Sequence, residues 1–162
     1  MTADFANRGY ELDCGGGPRV YELVDGKATS ADTMDPQVHL DDVWIDDLTG
    51  DGQLEAVARL SCTVGASTHF SYLFAYQEGP AGSIVRAGTG LTANRGVIER
   101  EAPDRYGVQV PRPEPGDPRC CPSYYGFQTW ALDFDTTWVF QQEGPELLVA
   151  AEDIDPAPWS TG

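Results

Sequence analysis

Over residues 54–62 apolar and polar side chains largely alternate, with Leu54, Ala56, Ala58, Leu60 and Cys62 on one side and Glu55, Arg59 and Ser61 on the other. A period of two marks a strand that buries one face. Phe70, Tyr72, Phe74 and Tyr76 repeat the pattern with aromatic rings. Further strand-like runs lie at 20–24, 37–45, 84–87, 96–100, 106–110 and 146–151, separated by glycine, proline and the pair Asp25-Gly26. Helical periodicity is nearly absent. The pattern predicts a mainly β chain: one antiparallel β-rich domain over 1–152, with eight to ten strands in a sandwich or a strongly curled sheet. Trp130, Leu132, Phe134, Trp138 and Phe140 supply its last apolar rows, and residues 153–162 form an extended tail. The prolines of 111–123 remove ladder donors, so that stretch is expected as a loop rather than a central strand.

The chain has 162 residues, 41% of them apolar and 10% aromatic, enough for a folded core. Its formal charge is −16, with only ten basic residues. Nucleic acid is excluded as a partner, because that affinity comes from Lys and Arg neutralising phosphates. The acidity suits a soluble exported protein, a cation binder, or an acidic mimic that blocks a basic partner. No apolar run approaches the roughly 20 residues that span a bilayer.

Four cysteines, Cys14, Cys62, Cys120 and Cys121, lack the paired knuckle spacing of a zinc site. Two disulfides are expected, and with them an oxidising compartment. A bridge between adjacent cysteines is disfavoured, so Cys120 and Cys121 are each expected to reach one of Cys14 and Cys62, stapling the proline loop to the sheet. Residues 1–5 lack the basic start and apolar stretch of an export signal. A leader ahead of this sequence is the expectation; a cytosolic chain without bridges is the alternative.

The one motif with metal chemistry is Asp47-Leu48-Thr49-Gly50-Asp51-Gly52-Gln53-Leu54-Glu55. A hard cation such as calcium takes six to eight oxygens from alternating positions of a tight turn. Asp47, Thr49 and Asp51 are spaced by two, Gly52 permits the turn, Gln53 offers a carbonyl and Glu55 closes the set. An EF-hand reading fails, since its closing glutamate would fall at Ala58. The competing reading is an acidic hairpin turn without metal, its Gly50-Asp51-Gly52 at positive φ.

Other chemistry is weaker. Asp42 and Asp46 would share a strand face and make an acid/base pair, or with Asp41 and Asp47 simply a solvated face. His39 or His69 would act as a base beside Ser61, Ser67 or Ser71, yet no nucleophile elbow accompanies them, and structural histidines are expected. Tyr72, Tyr76, Tyr124, Tyr125, Trp130 and Trp138 would line a groove or fill the core. One of the adjacent Tyr124 and Tyr125 should be exposed. The glycines after Cys14 read as a tight turn beside a disulfide.

The 47–55 spacing resembles the calcium loops of FG-GAP and integrin-type repeats, with Thr49 and Glu55 as departures. Leu48-Thr49-Gly50-Asp51-Gly52 leading into Glu55-Ala56-Val57, Leu60-Ser61-Cys62, Asp117-Pro118-Arg119-Cys120-Cys121-Pro122-Ser123 and the early Asp13-Cys14-Gly15 together resemble the LppP/LprE lipoproteins of actinobacteria, over roughly residues 10–140. The resemblance implies an exported, envelope-associated protein with its cysteines in disulfides. It carries over no catalytic residues, because the family supplies no activity to transfer. The chain departs from the family at the lipobox, since Cys14 follows Glu11-Leu12-Asp13 rather than a small-residue cleavage site, which leaves lipid anchoring open. The expectation is a monomeric, non-enzymatic envelope module that meets an envelope or protein partner. A cytosolic acidic inhibitor is the alternative.

Overall fold

The computed structural model describes residues 1, 3–65, 68–118, 120–134 and 138–154. Strand accounts for 62% of the structure and helix for 4%, as the period of two predicts. Among the described residues there are eleven strands: β1 (Gly9–Asp13), β2 (Pro18–Glu22), β3 (Lys27–Ala28), β4 (Gln37–Asp46), β5 (Glu55–Val64), β6 (Thr68–Glu78), β7 (Ile84–Asn94), β8 (Val97–Ala102), β9 (Arg105–Arg112), β10 (Tyr124–Asp133) and β11 (Val139–Ala150). All pairings are antiparallel. They form a β1-β2 ribbon, a five-stranded sheet ordered β3-β4-β5-β6-β7 and a four-stranded sheet ordered β11-β10-β9-β8. Asp25 and Gly26 turn the chain from ribbon to β3 with φ of 53° and 81°, the geometry an Asp-Gly pair favours.

The five-stranded sheet is the middle of three layers. Its even-numbered residues on β5 and β6 (Ala56, Ala58, Leu60, Cys62, Tyr72, Phe74 and Tyr76) pack under the ribbon with Phe5, Tyr10, Leu12, Tyr21 and Leu23. Across β5–β6, Ala56 faces Tyr76 and Ala58 faces Phe74, so small side chains on one strand leave room for rings on the next. Tyr72 stacks between Phe70 and Phe74, with centroids 6.3 and 6.0 Å away.

The other face holds a second core. Val57, Leu73, Ala75, Leu91 and Ala93 meet Ile98, Tyr106, Val108, Val110 and Leu132 of the four-stranded sheet. Tyr106, fully buried, sits 6.0 Å from Trp44 and 5.8 Å from Phe140. At Gly88 (φ 64°) a Cβ would stand 1.6 Å from the Trp138 carbonyl oxygen, so only glycine admits this approach of backbone to β7.

The structure departs from expectation in four places. The side of β5 read as polar is covered: Val57 and Glu55 are both buried, and Arg59 is neutralised by Asp42 while donating to the Ile98 carbonyl at 2.6 Å. The strands number eleven rather than eight to ten, because the ribbon strand β1 and the two-residue β3 carry too little pattern to be read. Pro111 and Arg112 extend β9 beside β10, which proline tolerates because the β8 pairing has already ended at Val97 and Gln109.

The fourth departure is the cysteine pairing: Cys14 bonds Cys62, and Cys120 bonds Cys121. Cys62 points into the core under the ribbon, whereas the proline loop joins two strands of the sheet on the opposite face. The loop cysteines cannot reach through the middle layer, so they close on each other, and the loop is not stapled to the sheet.

The regular structure ends in a short 3₁₀ turn at Ala151–Asp153; residues 155–162, with Trp159, lie outside the described residues, as does Ser67. No helix among the described residues is long and apolar enough to cross a membrane.

Candidate metal centre

The turn between β4 and β5 is organised by its own carboxylates. Asp47 accepts the Gly50 N–H through Oδ1 at 2.8 Å and the Gly52 N–H through Oδ2 at 2.9 Å. Asp51 Oδ1 accepts the Gln53 N–H at 2.8 Å. Gly50 and Gly52 take φ of 78° and 86°, the left-handed conformation that glycine adopts without penalty. Asp51 is not among the residues at positive φ.

Glu55 is the first residue of β5, only 3% exposed. Its Oε2 accepts the N–H groups of Leu48 and Thr49 at 2.7 and 3.4 Å, and its Oε1 accepts the Thr49 hydroxyl at 3.1 Å. A buried carboxylate is costly unless its oxygens are hydrogen-bonded, and the loop wraps back to supply those bonds.

Asp47, Asp51 and Glu55 each place one carboxylate oxygen within 4.8 Å of the others, a group able to hold a metal ion. None of the three forms an ion pair with a lysine, arginine or histidine among the described residues. Of the five residues read as ligands, the three carboxylates are brought together. Thr49 lies beside them, its hydroxyl proton given to Glu55, while Gln53 is exposed and joins the loop through its backbone N–H.

Next to the turn is a cleft of about 580 Å³, bordered by Leu48, Thr49, Leu132, Asp133, Phe134 and Glu143. Sequence reasoning missed this cleft. The β4–β5 turn and β10–β11 meet only through the stacking of two sheets, which leaves no local signal.

The remaining candidates are placed apart. Asp42 is taken up by Arg59, and Asp46 Oδ1 accepts the Asp47 N–H at 2.9 Å. Four residues of strand, about 13 Å, separate them, so they do not make the acid/base pair considered from sequence. His69 Nε2 lies 3.2 Å from Ser71 Oγ, but that hydroxyl donates to the buried Gly96 carbonyl at 2.8 Å. Its proton is committed to the backbone rather than offered to the imidazole. Ser61 Oγ donates to Asp41 at 3.3 Å. Tyr72 and Tyr76 are core residues, Trp130 and Trp138 pack against the second core, and Tyr124 is the exposed member of its pair. Asp13 Oδ1 accepts the N–H groups of Gly15 and Gly17 at 2.8 and 3.1 Å, forming the turn expected beside Cys14.

Burial holds the His69 imidazole below its ordinary pKa near 6.5, opposed in part by Asp41. The unfolded chain therefore binds this proton more readily, and the contribution is lost as pH falls through that value. Stability from urea denaturation should rise as pH is raised toward the ordinary imidazole value near 6.5, and His69→Gln should flatten the rise. An unchanged slope in the variant would assign the effect to other groups.

The architecture is that of a three-layered antiparallel β protein with an acidic turn at one end of its middle sheet. Comparison with protein-family models, curated proteins and solved structures finds no match for this chain.

Proposed function

We propose that this chain is a non-enzymatic, extracytoplasmic module of the cell envelope, a binding or structural domain whose 47–55 turn takes calcium for stability. The observation that carries the reading is the Cys14–Cys62 bridge, buried between ribbon and middle sheet. Such a bridge suits an oxidising compartment, and the resemblance to envelope lipoproteins points the same way. The calcium assignment rests on donor chemistry. Three hard carboxylates from one tight turn suit calcium, with backbone carbonyls and water completing the shell. Filling such a site would tie Asp47 and Asp51 to the buried Glu55 and rigidify the rim of the adjacent cleft.

The test is a thermal melt of the oxidised protein in EDTA and in millimolar calcium, with Asp51→Ala alongside. Calcium at about one hundred times its Kd adds about 2.7 kcal/mol, on the order of 5–10 °C in a domain of this size. The rise should vanish in Asp51→Ala and be smaller with magnesium, which demands stricter octahedral geometry. Identical melts in EDTA and calcium would reduce the loop to a self-bonded acidic turn and shift weight to the acidic-inhibitor reading.

A further inference from the structure

We propose that the Cys120–Cys121 pair is a thiol–disulfide exchange site, opened by a dithiol reductant while the rest of the protein stays folded. A structural disulfide acts by restricting the unfolded chain, and the restriction grows with the loop it closes. Cys14–Cys62 closes a loop with a sequence separation of 48; Cys120–Cys121 has a separation of 1 and Cα atoms 3.8 Å apart. Neighbouring residues are that close in any trans chain, so this bond holds nothing together that the peptide bond does not.

The form of the loop is set by other groups. Asp117 Oδ2 accepts the N–H groups of Glu114 and Ser123, both at 2.7 Å, and Oδ1 accepts the Ser123 hydroxyl at 2.8 Å. The Cys121 N–H donates to the Pro118 carbonyl at 3.0 Å, and the Ala151 N–H to the Ser123 carbonyl at 2.9 Å. These bonds tie both ends of the loop to each other and to the end of β11 without either sulfur. The hydrogen bonds to Asp117 also keep its carboxyl below the usual carboxylate range, so the clamp persists in mild acid.

Access separates the two bridges further. Cys120 and Cys121 are both exposed. Cys14 and Cys62 are 5% and 0% exposed. Exchange needs a thiolate to reach a sulfur atom, and only the loop pair offers that. The attacking thiolate forms a mixed disulfide with one cysteine and expels the other as a thiolate, which takes a proton from water. The reductant's second thiol then attacks the mixed disulfide. The reductant leaves as a disulfide, and Cys120 and Cys121 become a dithiol after gaining two electrons and two protons. Adjacent reduced cysteines suit a thiophilic centre that takes two sulfur ligands.

The experiment titrates the folded, oxidised protein with dithiothreitol, quenches with iodoacetamide and maps the labelled cysteines by mass spectrometry. Labelling of Cys120 and Cys121 is expected at least tenfold faster than that of Cys14 and Cys62, with Tm changed by about 2 °C or less. The selectively reduced protein should bind one phenylarsine oxide, and a Cys120→Ser/Cys121→Ser double variant, folded as judged by its melt, none. Labelling of all four cysteines together, earlier labelling of Cys14 and Cys62, or a melt that collapses when only the loop pair opens would overturn the proposal. These readouts are independent of calcium.

Discussion

Replacing both Cys14 and Cys62 by alanine is expected to lower folding stability by about 4 kcal/mol. The sequence separation of 48 between the two cysteines gives this figure through the chain-entropy relation. Domains have about 5–15 kcal/mol in all, so the variant should melt on the order of 8–16 °C lower. The bond crosses between layers, joining the end of β1 to the middle strand of the five-stranded sheet. Its loss therefore releases the ribbon that covers the first core. Urea denaturation followed by tryptophan fluorescence measures the change. The same substitution at Cys120 and Cys121 serves as the contrast and should move the midpoint very little. A loss below about 1 kcal/mol for the Cys14/Cys62 variant would mean that the ribbon docks firmly without its covalent tie, contrary to the entropy argument.

Tyr106→Ala should cost about 3–5 kcal/mol, the range for removing a buried large aromatic. Tyr106 stands on β9 between the two larger sheets, fully buried and flanked by Trp44 and Phe140. No neighbour from the ribbon side can fill the space, because the middle sheet intervenes. Tyr106→Phe separates packing from polarity. The hydroxyl donates one long bond, to the Pro103 carbonyl at 3.3 Å, and is also hydrogen-bonded with the Arg100 side chain. The phenylalanine variant should therefore lose about 1–2 kcal/mol, less than the alanine variant. Equal losses in the two variants would mean that the hydroxyl, rather than the ring, joins the sheets.

What the sequence discloses here depends on how local the cause is. The alternation of Ala56, Ala58, Leu60 and Cys62 reports a strand because each side chain's direction follows from its neighbour's. The turn at 47–55 was readable for the same reason: Asp47, Asp51 and Glu55 converge through hydrogen bonds spanning at most seven residues. The second buried face of β5 was hidden. Val57 sits between Ala56 and Ala58 in a run where only its partner sheet, contributed by residues 97–150, decides whether it meets water. Arg59 misled in the same way, since it is charged yet paired with groups brought in from elsewhere, the Asp42 carboxylate and the Ile98 carbonyl. The cysteine pairing was equally non-local. Which cysteines meet depends on which side of the middle sheet each segment lies, and spacing alone does not carry that. The cleft beside Thr49 belongs to the same class.

The buried clasp between Cys14 and Cys62 also determines how the molecule would carry a load. Tension entering ahead of Cys14 passes through sulfur directly to Cys62, leaving the intervening chain slack. That spares 48 residues of separation, about 16 nm of contour at roughly 3.4 Å each, from being drawn out. The pull arrives instead on β5, an interior strand of the five-stranded sheet with a packed layer on each face. A tether made this way is short and stiff, and it yields only where the fold is best supported.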